Sequence, residues 1–244
     1  MLETHTIFDN DEAAPKTQSH RVTDIREGVK DRNRLNIYVD NKYFCSLDIS
    51  QTVDLHIKIG RELTAEELDE LKRASEFGKL YTRALEYALL RPRSMQELRD
   101  YLRKKTLDKK VRTKSHKTGE YITTIKRGYD ASLVEPVMAR LEERGYIDDE
   151  KFARAWVENR NVRKGSSLKK IRLELAQKGV ASNIVDKVLD ETSRDDRSEL
   201  KKVIERKAHR YDDTQKLIQY LLRQGFNYSD IVDELSVIDS SSGA

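Results

Sequence analysis

Three stretches of this chain carry the same spacing of apolar residues and glycine, and that repetition limits what it can fold into more than any single motif does. Leu98, Leu102, Gly128, Tyr129, Val134 and Met138 align with Ile171, Leu175, Gly179, Val180, Val185 and Leu189, and again with Leu217, Leu221, Gly225, Phe226, Ile231 and Leu235. Each copy has an apolar pair four apart, a glycine stop, an apolar residue and a second pair four apart, as two short amphipathic helices joined by a turn require. Copies two and three keep identical spacing, whereas Leu102 and Gly128 are 26 residues apart where the others need 4, so copy one holds an insertion of 22 residues.

The ends of these helices are written in capping chemistry. Ser94 with Glu97 forms a capping-box pattern after Pro92, Asp148 precedes Phe152 at a helix start, and Ser166-Ser167 and Asp212 with Gln215 are placed to open later helices. Gly128, Gly179 and Gly225 fall where a helix C-terminus favours a left-handed residue, which glycine adopts at least cost. A further helix precedes each pair, around Leu80 to Leu90, Glu150 to Asn161 and Glu199 to Arg210. The predicted fold is therefore mainly α: three tandem three-helix repeats stacked into an elongated, curved body.

The N-terminal part has a different period. Leu35, Ile37 and Val39 alternate with Asn36, Tyr38 and Asp40, and Asp40-Asn41 suits a hairpin turn before Tyr43 to Leu47, which predicts a small β unit. Thr64 and Glu67 then open a helix through Leu68 and Leu71. The expected organisation is a disordered tail over 1–18, the β unit over 19–63, and a linker helix with the first repeat over 64–145. The second repeat then spans 146–192, the third 193–239, and a disordered tail 240–244.

Within the first repeat, residues 104–127 hold nine Lys and Arg against Asp108 and Glu120. Lys110 to Lys114 and Tyr121 to Ile125 are rich in β-branched and aromatic residues on either side of a Ser115 to Gly119 turn, which predicts a β-hairpin. Such a hairpin would be a cationic arm that orders on binding; a disordered insertion is the competing reading.

Charge is segregated along the chain. The formal net charge is +4, yet residues 80–180 hold 25 Lys and Arg against 14 Asp and Glu, a net of +11, and the remainder nets −7. A basic middle between acidic ends points to a polyanion or an acidic protein surface as partner, beside the plainer reading of a solvated helical face. Mean hydropathy of −0.78 and 37% charged residues suit thin helical layers. No run approaches a membrane span and the N-terminus is acidic, so a cytoplasmic location is expected.

Catalytic chemistry finds little support. Cys45 is the only cysteine and the five histidines show no ligand spacing, so no metal site is expected. Asp148, Asp149 and Glu150 could be read as an acid–base group, but adjacent carboxylates at a helix start serve as a cap that complements the helix dipole. Phe152 and Trp156, four apart on one face, read as core rather than as base-stacking rings, with Tyr146 and Tyr101 as further aromatic candidates. No phosphate-cradling glycine loop or nucleophile elbow is present. No cofactor is called for and no enzymatic activity is expected.

The order of Gly145-Tyr146-Ile147-Asp148-Asp149-Glu150-Lys151-Phe152-Ala153-Arg154-Ala155-Trp156, a basic run through Arg160, Arg163 and Lys164-Gly165, and Leu175-Ala176-Gln177-Lys178-Gly179-Val180 resembles the central segment of the RecX family. The resemblance extends over roughly residues 20 to 238 and implies a non-enzymatic regulator of the bacterial recombinase RecA. The implied activity is to bind the groove of the RecA–DNA filament and modulate RecA in the direction of inhibition. Recombinase and ATPase activity would fall, which bears on DNA repair, homologous recombination and the SOS response. RecA filaments, single-stranded DNA and, further, double-stranded DNA are the implied partners; a monomer is expected and no membrane.

The candidate RecA- and DNA-binding residues are Arg91 and Arg93 before one helix, Arg160, Arg163 and Lys164 before another, with Lys169, Lys170 and Arg172 beyond. Lys109, Lys110, Arg112 and Lys114 belong to the predicted arm. Guanidinium and ammonium groups on loops held by a rigid scaffold suit phosphate oxygens. The corresponding third loop, His209-Arg210-Tyr211-Asp212-Asp213, is weakly basic, and this and the insertion depart from the family pattern. The competing class is a stand-alone DNA-binding module that places one helix in the major groove.

Overall fold

The computed structural model describes residues 19–29, 31–114, 119–163, 165–192 and 194–241, and within them the side chains of all but 160–163 and 238–241. The expected tail over 1–18 and most of the Ser115 to Gly119 turn therefore lie outside the described residues. Two compact units are present, Met1–Lys79 and Leu80–Ala244.

The first unit is an antiparallel sheet. Strands β1 (His20–Glu27), β2 (Arg34–Val39) and β3 (Lys42–Asp48) form a meander; after helix α1 (Ile49–Asp54), β4 (Glu62–Leu63) pairs with β1, so the order is β3-β2-β1-β4. Asp40 and Asn41 both adopt positive φ, +50° and +63°, which matches the right-handed twist of the flanking strands. Ile37 lies opposite Cys45 and Leu35 opposite Leu47, so the alternation seen in the sequence turns one face inward onto Val22, Ile57, Leu63 and Leu71. Burial pushes the Cys45 thiol up to about 11, which leaves it inert packing.

Helix α2 (Ala65–Leu89) is one unbroken helix where the sequence suggested two. It opens with the expected capping box: the Glu67 N–H donates to Thr64 Oγ1 at 3.3 Å and the Thr64 N–H to Glu67 Oε2 at 2.8 Å.

Among its described residues the second unit is helical apart from one hairpin. Helix α3 (Met95–Thr106) leads into β5 (Lys109–Lys114) and β6 (Tyr121–Lys126), then α4 (Val134–Glu143). There follow α5 (Asp149–Arg163), α6 (Leu168–Gln177), α7 (Ser182–Asp190), α8 (Asp196–Lys207), α9 (Thr214–Arg223) and α10 (Tyr228–Ser241). The apolar pairs of all three sequence copies point inward: Leu98 and Leu102, Ile171 and Leu175, and Leu217 and Leu221 are buried. Phe152 belongs to the α5–α7 core with Trp156 packed against it, and the Trp156 indole N–H donates to Glu174 at 3.1 Å. Helix α10 continues through Ser240 and Ser241, where a tail was expected; 242–244 lie outside the described residues.

Three features of the capping scheme differ from expectation, the first being that Ser94 accepts from the Glu97 N–H at 3.1 Å while the Glu97 carboxylate turns to Arg91 and Lys178 instead of closing a box. The left-handed stops are Gly145, Gly179 and Gly225, with φ of +70°, +77° and +88°, whereas Gly128 is not left-handed. After each of the three, the next residue's N–H returns to the last turn of its helix, as with Val180 to the Leu175 carbonyl at 3.1 Å. Gly128 is required for another reason: a Cβ there would lie 2.1 Å from the Thr106 carbonyl oxygen, at the point where the chain re-enters after the hairpin. The α9 cap is Asp213, which accepts from the Gln215 N–H at 2.8 Å, in place of Asp212.

A repeated joint links α3 to α6 and α6 to α9. The Ser94 hydroxyl donates to the Lys178 carbonyl at the end of α6, and the Ser167 N–H donates to the Gln224 carbonyl at the end of α9, at 2.7 and 3.0 Å. At each joint a pair of aspartates divides its work. Asp148 and Asp195 cap their own helices, while Asp149 and Asp196 reach back to accept the Met95 and Leu168 N–H groups, both at 2.8 Å. The first N–H groups of α3 and α6 are thus satisfied by a carboxylate from a later helix.

Burial raises the Asp149 and Asp196 carboxyls above the ordinary range, partly offset by those backbone bonds. A raised folded pKa means the native state binds the proton more tightly than the unfolded chain, so the cost of the buried charge disappears as pH falls through the folded value. Asp149→Ala should therefore lose about 1 kcal/mol at pH 7 by leaving the Met95 N–H unmatched. Asp149→Asn, which keeps an acceptor without the charge, should lose less, and its gap to the parent should shift in the parent's favour toward pH 4. Denaturant midpoints of the three proteins at the two pH values check this; equal losses for Ala and Asn would show that the carbonyl-type acceptor is irrelevant.

Candidate nucleic-acid interface

The hairpin stands open on both faces. Register pairs Lys109 with Lys126, Lys110 with Ile125, Arg112 with Thr123 and Lys114 with Tyr121, so Lys110, Arg112 and Lys114 share one face with Tyr121 and Ile125. Apart from Val111, every described residue of the two strands is exposed. Tyr121, Ile122 and Ile125 are 60%, 51% and 66% exposed, a large apolar content for a surface so rich in charge. The Arg112 guanidinium lies 4.4 Å from the centre of the Tyr121 ring.

At the root of the hairpin stands a four-layer stack. The rings of Tyr87 on α2 and Tyr101 on α3 are parallel within 5°, with centres 4.0 Å apart. Arg93 lies 3.7 Å from the Tyr87 centre and Lys105 4.7 Å from the Tyr101 centre. The Tyr129 N–H donates to the Lys105 carbonyl at 3.1 Å, and the Tyr129 hydroxyl accepts from Arg83 Nε at 3.1 Å, which ties the stack to the strand returning from the hairpin. Sequence reading had singled out Arg93 and Tyr101 but not their partners Tyr87 and Lys105. The i, i+4 spacing of Tyr101 and Lys105 on one helix face was the available signal.

The other predicted cations fall into different environments. Arg91 pairs with Glu97 at 3.1 Å, and Lys178 meets the same carboxylate at 2.7 Å. Burial alone would raise the Glu97 carboxyl, but the bonds from these two cations hold it below the usual range. Lys170 donates to the Arg223 carbonyl at 2.6 Å and so closes the end of α9, and Arg172 pairs with Asp186 at 2.8 Å. Lys169 is exposed on α6 without an ion-pair partner among the described residues. Arg160 and Arg163 sit near the end of α5 with side chains outside the described set, and Lys164 lies outside the described residues altogether. The cations are brought together on the hairpin and at its root; Arg91, Lys170 and Arg172 are engaged elsewhere.

Asp148 caps its own helix, as expected from its position, whereas Asp149 accepts from the Met95 N–H at the start of α3. Among the described residues no group of three His, Cys, Asp or Glu side chains could hold a metal ion, and no helix is long and apolar enough to cross a membrane.

Residues 20–64 match the family described as Regulatory protein RecX N-terminal domain, and residues 148–189, α5 to α7, match that described as RecX, second three-helix domain. The chain is similar to Regulatory protein RecX of Bacillus licheniformis, 26% identical over 225 residues that cover 89% of this chain and 77% of that protein. It is similar to Regulatory protein RecX of Clostridium tetani, 26% identical over 235 residues that cover 92% and 97% of the two chains. A crystal structure of regulatory protein RecX has a TM-score of 0.64 and 23% identity, over 88% of this chain and 99% of that one, and shows the same fold.

Proposed function

The chain belongs to the RecX family of regulatory proteins, and from that premise we propose that it binds the RecA–DNA filament and restrains RecA's recombinase and ATPase activity. The observation that carries this reading is the exposed hairpin, where Lys110, Arg112 and Lys114 share a face with solvent-facing Tyr121 and Ile125 and Lys109 stands exposed on the other face. Cations recruit the phosphate backbone, while exposed apolar side chains suit unpaired bases or an apolar protein groove. Arg93 and Lys169 add to the basic surface in this proposal, Arg160, Arg163 and Lys164 supply further basic residues of the sequence, and Arg91, Lys170 and Arg172 act as internal supports. The major-groove reading has weaker support, because Lys170 and Arg172 on α6 are held by α9 and by Asp186.

The test is RecA's single-strand-dependent ATP hydrolysis with the purified protein added well below RecA in amount. A progressive fall in rate is expected. An unchanged rate, with RecA alone behaving normally, would remove filament regulation as the function.

A further inference from the structure

Many of the described cations are neutralised by carboxylates of the same chain: Arg91 by Glu97, Arg99 by Glu135, Arg154 by Glu150 and Glu191, Arg172 by Asp186 and Lys187 by Glu150. Arg93 and Lys105 differ. Each is held against a tyrosine ring, and neither has an ion-pair partner among the described residues. Arg112 repeats the arrangement with Tyr121 on the hairpin. Arg26 over Tyr38 and Lys178 over Trp156 show that a ring contact alone does not make this class, since Asp24 and Glu97 neutralise those two.

The physical consequence is specific. A carboxylate partner orients a cation but cancels its charge, whereas a ring orients it through a quadrupole and leaves the full charge for a third body. Holding a long side chain in place beforehand also removes part of the entropy lost on binding. The Tyr87–Tyr101 stack adds rigidity: each ring has its neighbour on one side and a cation against it, so Arg93 and Lys105 sit at the two ends of one ordered column.

We propose that this column is a preorganised phosphate-binding element, in which Arg93 and Lys105 grip successive parts of a single-stranded DNA backbone that continues onto the hairpin. It rests on the nucleic-acid reading above. A single strand is the committed ligand because Tyr121 and Ile125 lie exposed beside the hairpin cations, and only an unpaired strand offers base faces to them.

The experiment uses the full chain and a labelled oligothymidylate, with anisotropy measured from 50 to 200 mM salt on the order of the range over which phosphate contacts are lost. The variant Arg93→Met with Lys105→Met keeps alkyl bulk against the rings and should flatten the plot of log affinity against log salt by about 1.4, at about 0.7 per phosphate contact. Tyr87→Leu with Tyr101→Leu keeps both charges and should weaken binding several-fold with little change of slope. Arg99→Met with Lys187→Met, whose charges are already neutralised by Glu135 and Glu150, should leave the slope unchanged. Helical circular dichroism establishes that each variant is folded. A wild-type slope in the Arg93/Lys105 variant, or an equal flattening in the Arg99/Lys187 variant, would overturn the proposal. So would tighter wild-type binding to a duplex of the same length. If the wild type binds no oligonucleotide at all, the functional reading itself fails, which is distinguishable from failure of the column alone.

Discussion

Valine at position 179 or 225 is expected to destabilise the protein by about 2–5 kcal/mol, more than valine at position 145. All three glycines are left-handed, so a β-branched side chain carries a conformational cost of roughly 1–2 kcal/mol at each. The difference lies in what the new side chain meets. A Cβ at Gly179 would lie 2.5 Å from Gln96 Cβ, and one at Gly225 would lie 2.4 Å from Ser167 Oγ and 2.9 Å from Lys170 Cβ. At Gly145 nothing stands within 4 Å. Overpacking typically adds about 1–3 kcal/mol where neighbours cannot move, and these neighbours belong to the first turns of α3 and α6, held by the aspartate joints. Chemical denaturation of the three variants decides the matter. Equal losses at 145, 179 and 225 would mean that the tight approach at the joints carries no weight.

Removing residues Leu107 to Arg127 should leave the helical unit folded and abolish most binding to single-stranded DNA. The ends of this excision already touch: Gly128 packs on the Thr106 carbonyl, and the Tyr129 N–H bonds to Lys105. Closing the chain from Thr106 to Gly128 therefore demands little of α3 or α4, whose buried Leu98, Leu102, Val137 and Met138 are untouched. The loss takes away Lys109, Lys110, Arg112, Lys114, Lys117, Lys126 and Arg127 together. If even four of these contact phosphates, the salt dependence should flatten by about 3 log units per log unit of salt. Binding would then be weakest relative to the full chain at low salt, where unscreened charge contributes most. A deletion variant with the parent's affinity and slope would leave the hairpin without a role in binding. A deletion variant lacking helical circular dichroism would show instead that the hairpin supports the fold.

Local chemistry was legible wherever one segment decides its own conformation. Alternation of Leu35, Ile37 and Val39, the Asp40-Asn41 turn, the Thr64–Glu67 box and the Ser94 and Ser167 caps all depend on residues within a few positions of each other, and each appears where the sequence placed it. The hairpin strands followed in the same way from β-branched and aromatic residues flanking a turn. Gly128 departs from the pattern of Gly179 and Gly225 because the copy with the insertion does not end its helix at that glycine. Helix α3 in fact continues to Thr106 and ends in an extended residue, so the chain comes back to the helix end through a close backbone approach rather than a left-handed stop.

Long-range partners belong to the tertiary structure alone. A row of basic residues in a sequence does not show which of them will meet a carboxylate: Arg91 and Lys178 share Glu97 from opposite sides of a joint, and Arg172 finds Asp186 on the next helix. Nor does it show that Tyr87 and Tyr101, on different helices, stack and hold Arg93 and Lys105 without cancelling their charge. The sequence by itself determined the small β unit, the helices with most of their caps, and the basic middle of the chain, because propensity, periodicity and formal charge are local. Which cations remain available to a phosphate was decided only by folding, because electrostatic neutralisation acts over a few ångströms between residues that the chain keeps far apart.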